Sequence, residues 1–204
     1  MVDVWGLDSD MLGFVPQPVV ALILLFPSKP RDDETRRVEV ADHHLSSKVY
    51  YLTQLQGHLD NACGTIAMLH SIMNNRDILG VADSDCVAER FYKETLDQSH
   101  DDRGRTLDTH EKIVDIHNAL VTMGQSNVVE SEKVSHHFVC ITSVDGHLVE
   151  LDGAYNSGPN IINKIDEGLG FLESAAQFVK TKYMSAAAEN ATFALMALVM
   201  SQDD

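Results

Sequence analysis

The sequence predicts an α+β fold, a mixed and largely antiparallel sheet with helices on both sides, and three observations carry that prediction. Val19 to Phe26 is an unbroken apolar run between Pro18 and Pro27, as a central strand covered on both faces requires. Phe138 to Val144 and His147 to Leu151 flank Asp145-Gly146, a dipeptide whose tolerance of positive φ selects a two-residue hairpin turn. Several stretches between these strands space their apolar residues three and four apart, the period of an amphipathic helix. With 204 residues, folding buries roughly 70% of the unfolded chain's surface, enough for one domain with its own core. No linker, repeat or low-complexity tract divides it.

In chain order, Val19 to Phe26 is the buried strand, and the charged stretch Ser28 to His44 is a solvated connection. Lys48 to Thr53, rich in β-branched and aromatic residues, predicts a second strand. Asp60-Asn61 supplies cap-type residues for a helix over Cys63 to Met73, with Ile66, Leu69, Ile72 and Met73 on one face. Ser84 to Leu96 is a second helix, with Val87, Phe91 and Leu96 inward. Asp97 to Gly104 is polar or small throughout and reads as an exposed loop. Leu107 to Leu120 returns to helical spacing through Ile113, Ile116 and Leu120, and Gly124 to Ser135 has no period. After the hairpin, Asp166 to Ala186 is the last helix and Thr192 to Met200 a closing strand.

Composition narrows the function. Fifteen basic residues against 31 acidic ones give a net charge of −16. This excludes nucleic acid and anionic membrane as partners, because both demand clustered Lys and Arg, and it favours a basic partner. The longest apolar run falls far short of the ~20 residues of a membrane span. Met1 is followed by Val2-Asp3-Val4-Trp5, with no basic flank or apolar h-region, so no secretory signal is expected. Three cysteines, Cys63, Cys86 and Cys140, cannot pair completely and show no CxxC spacing, which predicts a reduced, cytoplasmic protein. His43-His44 and His136-His137 lack ligand partners at metal spacing, so no metal and no cofactor is expected.

The chemistry gathers on three residues. Cys63 falls in the first turn of its helix, where the macrodipole favours a thiolate, and Gly64 beside it leaves room for a substrate backbone. If Asp145-Gly146 are the turn, Val144 faces His147, Val139 faces Asp152 and His137 faces Ala154. His137 and Asp152 are then diagonal neighbours on one face, within reach of each other. An imidazole beside a carboxylate is what a thiol nucleophile requires, since the carboxylate orients the ring and the ring takes the proton. His136 and Cys140 fall on the opposite face. His70 lies two helical turns past Cys63, ~10 Å along the axis, and reads as a packed helix residue.

These residues sit in recognisable blocks. Asn61-Ala62-Cys63-Gly64-Thr65-Ile66-Ala67-Met68-Leu69-His70, His137-Phe138-Val139 and Val144 to Gly153 resemble the ubiquitin carboxyl-terminal hydrolase family of cysteine proteases, the deubiquitinases of peptidase family C12. Val2 to Asp8, Val15 to Pro18 and Ser46 to Leu52 extend the resemblance over nearly the whole chain. So do the separations of 74 residues from Cys63 to His137 and 15 from His137 to Asp152. The resemblance implies a papain-like cysteine-protease core with Cys63 as nucleophile, His137 as general base and then acid, and Asp152 as its orienting residue. It implies hydrolysis of small or flexible adducts at the C-terminal glycine of ubiquitin through an acyl-enzyme. Alternatives within it are a catalytically impaired ubiquitin-binding protein and a protease for another ubiquitin-like modifier.

The family's oxyanion-stabilising glutamine ends the strand before the cysteine. Here Gln54-Leu55-Gln56-Gly57-His58-Leu59-Asp60 is longer than the usual segment. Gln54 fits the register of Val49 to Thr53, whereas Gln56 lies nearer the usual distance from Cys63; both stand as candidates, with Gln54 preferred. The resemblance also implies that Asp97 to Arg105 arches over the active site as a gating loop. Residues 1–204 are read as a single catalytic domain lacking the family's first strand and helix.

Overall fold

A computed structural model of the chain describes residues 1–28, 43–55, 59, 61–123, 135–155, 157–185, 187 and 191–200. Its elements are β1 (Val2–Asp3), α1 (Ser9–Leu12), β2 (Val19–Ser28), α2 (His43–Ser46), α3 (Cys63–Met73), α4 (Val87–Thr95), α5 (His100–Thr109) and α6 (Glu111–Met123), then β3 (Ser135–Val144), β4 (His147–Leu151), β5 (Asn160–Lys164), α7 (Gly170–Val179) and β6 (Ala194–Val199). The six strands form one sheet in the order β1-β6-β2-β3-β4-β5. All the pairings among them are antiparallel.

The apolar run of β2 is buried on both faces because its alternate residues enter different cores. Leu22, Leu24 and Phe26 pack with Val139, Ile141 and Leu148 under α7, while Ala21 and Ile23 pack with Cys140, Val149 and Leu151 under Ala67 of α3. Beyond α3, a third cluster joins Ile66, Leu69 and Met73 to Phe91 of α4, Leu107 of α5 and Ile113 of α6. Helices therefore flank the sheet on both sides, and α3 is central to the thicker one. The hairpin turn forms at Asp145 and Gly146, both at positive φ (47° and 72°), the backbone state expected of this dipeptide.

Lys48 to Thr53 corrects an expectation. It is extended, and its residues alternate between two cores, Val49 and Tyr51 toward the sheet and Tyr50 and Leu52 toward the helices, but among the described residues it joins no ladder. Its backbone groups bond to side chains and turns instead. Tyr50 N–H donates to Asn74 Oδ1 at 2.8 Å, Leu52 N–H to His70 Nε2 at 3.1 Å, and Thr53 N–H to the His100 carbonyl at 3.1 Å. Burial on two faces gives the same residue pattern as sheet pairing.

The loop expected over Asp97 to Gly104 is largely helix. Ser99 caps α5, its hydroxyl accepting from Asp102 N–H at 3.2 Å, and Asp101 and Asp102 occupy the first turn, where carboxylates are favoured. Arg103, Gly104 and Leu107 are buried. The helix expected from Leu107 to Leu120 is broken at His110, and it turns Ile113 and His117 inward while Ile116 and Leu120 are 49% and 61% exposed. Leu96, expected inward, is 45% exposed. The residue before α3 is Ala62, without a side-chain cap. The last helix is shorter than expected and runs into a π-helical turn over Lys180–Met184. Strand β5 is an addition to the expected elements, because Asn160-Ile161-Ile162-Asn163-Lys164 alternates poorly.

Candidate active site

Cys63 opens α3. The first amide groups of a helix have no partner within it, and their aligned dipoles favour an anion there. The half-buried thiol faces His137 and the backbone of Phe138 and Gly64, which act on its ionisation. Burial pushes its pKa up, but those neighbours and the charge of His137 outweigh burial and hold it below the ordinary thiol value. A Cβ added at Gly64 would stand 3.4 Å from the Phe138 ring, so the helix start packs closely on the strand that carries His137.

His137 Nε2 lies 2.6 Å from Asp152 Oδ1, which leaves Nδ1 as the nitrogen for the thiol. Burial disfavours the imidazolium, but hydrogen bonds to Asp152 and Cys63 favour it and push the pKa up to about 9. A lowered thiol and a raised imidazole are the opposite shifts of a coupled acid–base pair, which titrates as a unit. Asp152 is 2% exposed, and Ala154 N–H donates to its Oδ1 at 2.9 Å. The Phe26 ring meets the His137 ring edge-on at 5.8 Å. The register responsible is the expected one: Val144 pairs with His147 and Cys140 with Leu151, so the next step sets Asp152 diagonal to His137.

The other residues singled out from sequence separate cleanly. His136 is exposed. Cys140 is wholly buried in the core beneath α3, and burial pushes its thiol far up. His70 is buried, stacked on Tyr51 at 5.0 Å, and desolvation brings its pKa down to about 4, so it is a neutral packed residue. Gln54 is half-buried, and its N–H donates to the Gly153 carbonyl at 2.5 Å, one residue from Asp152. Gln56 lies outside the described residues. The segment expected to arch over the active site, Asp97 to Arg105, is chiefly α5, and Arg103 anchors it inward, donating to the Tyr51 carbonyl at 2.9 Å. Among the described residues no group of His, Cys, Asp and Glu is arranged to hold a metal ion.

Two buried polar residues near the site escape sequence reasoning. Glu150, two before Asp152 on β4, is fully buried and accepts from Lys182, Tyr183 and, at 2.7 Å, Asn160 Nδ2. A carboxylate inside the run Leu148-Val149-Glu150-Leu151 is the signal that could find it. Tyr51 donates its hydroxyl to the carbonyl of Asp152 and, at 2.7 Å, to that of Tyr155; nothing in its apolar surroundings marks it.

The chain matches the model of the family described as ubiquitin carboxyl-terminal hydrolase, family 1 (peptidase C12), over residues 1–185. It is 40% identical over 155 residues to ubiquitin carboxyl-terminal hydrolase isozyme L1 of Homo sapiens, covering 74% of this chain and 67% of that one. It is 35% identical over 208 aligned positions to a ubiquitin carboxyl-terminal hydrolase of Drosophila melanogaster, covering 99% and 87%. The fold is shared with the catalytic domain of Trichinella spiralis UCH37, solved bound to ubiquitin vinyl methyl ester, at a TM-score of 0.75, 23% identity and coverage of 98% and 84%. With a cysteine at the head of α3 facing a histidine that an aspartate holds, and with sequence likeness running nearly end to end, the chain belongs to the ubiquitin carboxyl-terminal hydrolase family 1 of cysteine peptidases.

Proposed function

We propose that this chain hydrolyses small or flexible adducts from the C-terminal glycine of ubiquitin, with Cys63 as nucleophile, His137 as base and then acid, Asp152 as the orienting carboxylate and Gln54 as an oxyanion donor. The observation that carries it is the 2.6 Å contact of His137 Nε2 with Asp152 Oδ1 on a ring that the Cys63 thiol also influences.

The steps follow from that arrangement. The Cys63 thiolate attacks the glycine carbonyl carbon, and the carbonyl electrons move onto oxygen, where the Cys63 backbone N–H and the Gln54 amide stabilise the charge without competing for the base. Collapse expels the leaving amine, alcohol or thiol, which takes its proton from the His137 imidazolium. Water, losing a proton to the now neutral imidazole, attacks the thioester, and release of the ubiquitin carboxylate regenerates the pair. Asp152 holds the ring through Nε2 in both halves. No cofactor enters these steps. Cytoplasmic residence is part of the proposal, supported by the three free cysteines. Among the described residues no helix is long and apolar enough to cross a membrane.

A ubiquitin C-terminal electrophilic probe tests the function. Labelling of the wild-type chain, lost in Cys63→Ala and kept in Cys140→Ser, is the expected result. Binding without labelling identifies an impaired binding protein, and labelling only by the probe of another ubiquitin-like modifier transfers the activity to that modifier.

A further inference from the structure

The carboxylate that holds His137 stands on a tight turn after β4, and the turn is fixed from outside. Tyr155 N–H closes it on the Asp152 carbonyl at 2.9 Å, and Ala154 N–H fixes the carboxylate itself. Tyr51, entirely buried, sends its one hydroxyl proton to the carbonyls at both ends of the turn, those of Asp152 and Tyr155. Its ring cannot swing away, being stacked on His70 at 5.0 Å and met edge-on by His100 at 5.1 Å. Three residues later in the same extended segment, Gln54 N–H donates to the carbonyl of Gly153, within that turn. A Cβ added at Gly153 would stand 2.7 Å from Ile66 Cγ2 of α3, so the turn is also pressed against the helix that begins with Cys63.

We propose that Tyr51 is a positioning residue for catalysis, its hydroxyl fixing the Asp152–Tyr155 turn so that the orienting carboxylate and the Gln54 segment hold one geometry relative to Cys63. The proposal rests on the roles given above to Cys63, His137 and Asp152. Groups that must be placed to a fraction of an ångström lose rate steeply when their support loosens. A phenol suits the task because burial and the neighbouring Asp152 push its pKa well up, so it remains a donor across the working pH range.

Tyr51→Phe removes only the hydroxyl. In the full chain, turnover of a fluorogenic ubiquitin C-terminal amide should fall by about tenfold to a hundredfold in kcat, with KM nearly unchanged. The pH at which iodoacetamide begins to alkylate Cys63 should move upward, because a loosely held Asp152 supports the imidazolium less. Added to Asp152→Asn, the substitution should cost nothing further, since the group it positions is already disabled. If Tyr51→Phe keeps wild-type kcat and the wild-type alkylation profile while Asp152→Asn is slow, this proposal falls and the catalytic assignment stands. If Asp152→Asn itself is as fast as wild type, the assignment falls and takes this proposal with it. Should Tyr51→Phe not fold, the wild-type chain decides by proton NMR. A slowly exchanging hydroxyl proton of Tyr51 that shifts as His137 titrates supports the proposal, and its absence or pH-independence overturns it.

Discussion

At the head of α3 two side chains are shifted in opposite directions against the effect of burial, the His137 imidazole upward chiefly by Asp152 and the Cys63 thiol downward chiefly by His137. His137 rises from 6.5 to about 9, so its contribution to stability is complete below the free imidazole's range and is lost as pH climbs through about 9. Cys63 is lowered from 9.0, so its contribution is present above the ordinary thiol range and is lost as pH falls through the depressed value. The two shifts together favour the thiolate at a lower pH than an isolated thiol would allow. Iodoacetamide should therefore alkylate Cys63 at a pH where an ordinary thiol is inert, His137→Ala should carry that onset up toward ordinary thiol behaviour, and His136→Ala should leave it in place. Equal effects from the two histidines would contradict the strand parity that separates them. The same scale decides between the two glutamines. Gln54→Ala should cost about a hundred- to a thousandfold in kcat with little change in substrate binding, and Gln56→Ala far less; a large loss in Gln56→Ala alone would move the oxyanion role to that residue.

Elements with a local signature are legible in the sequence, and those defined by distant partners are not. Val19 to Phe26, Cys63 to Met73 and the Asp145-Gly146 hairpin each carry their own instruction, so the register that sets Asp152 beside His137 follows from counting residues outward from the turn. Lys48 to Thr53 carries only the instruction to be extended and buried; whether its amides meet another strand or Asn74, His70 and α5 is settled elsewhere in the chain. Asp97 to Gly104 resembles a loop because its polar composition hides an N-cap at Ser99 and one inward cation. Arg103, 8% exposed, donates to the carbonyls of Thr95 (3.0 Å), Leu96 (2.7 Å) and Tyr51 (2.9 Å), and its guanidinium lies 4.4 Å from the Tyr50 ring centroid. It thereby joins the end of α4, the body of α5 and the segment leading to Gln54. Lysine carries its donors on a single nitrogen and cannot reach three carbonyls that Arg103 meets from Nε, Nη1 and Nη2, so Arg103→Lys and Arg103→Met should both lower stability by on the order of 3 kcal/mol, read from the urea midpoint. A near-neutral Arg103→Lys would mean that charge, rather than the three-way fork, anchors α5.

Over the whole molecule, the net charge of −16 is not consumed by internal pairing, since Asp8, Asp77, Asp85 and Glu167 keep 81–91% of their side chains exposed even where they meet a cation. Such pairs contribute little to stability, but their summed field extends into solvent and acts on an approaching basic protein before contact. Near the segment that leads to Gln54 the field has a local source in Asp101 of the α5 first turn, beside the His100 carbonyl that receives Thr53 N–H, whereas its neighbour Asp102 is paired with Arg105. Screening shortens the reach of exposed charge from ~30 Å at 0.01 M salt to ~8 Å at physiological ionic strength. Association with ubiquitin should therefore slow by about tenfold or more across that range while dissociation changes much less, as steering acts on encounter rather than on the docked complex. Stopped-flow binding to the Cys63→Ala chain measures both rates without turnover. Alkylation of wild-type Cys63 by neutral iodoacetamide over the same salt series should stay nearly constant, because an uncharged reagent feels no long-range field. A flat association rate would remove electrostatic recruitment, and a parallel fall in alkylation would trace the salt effect to the thiolate–imidazolium pair instead.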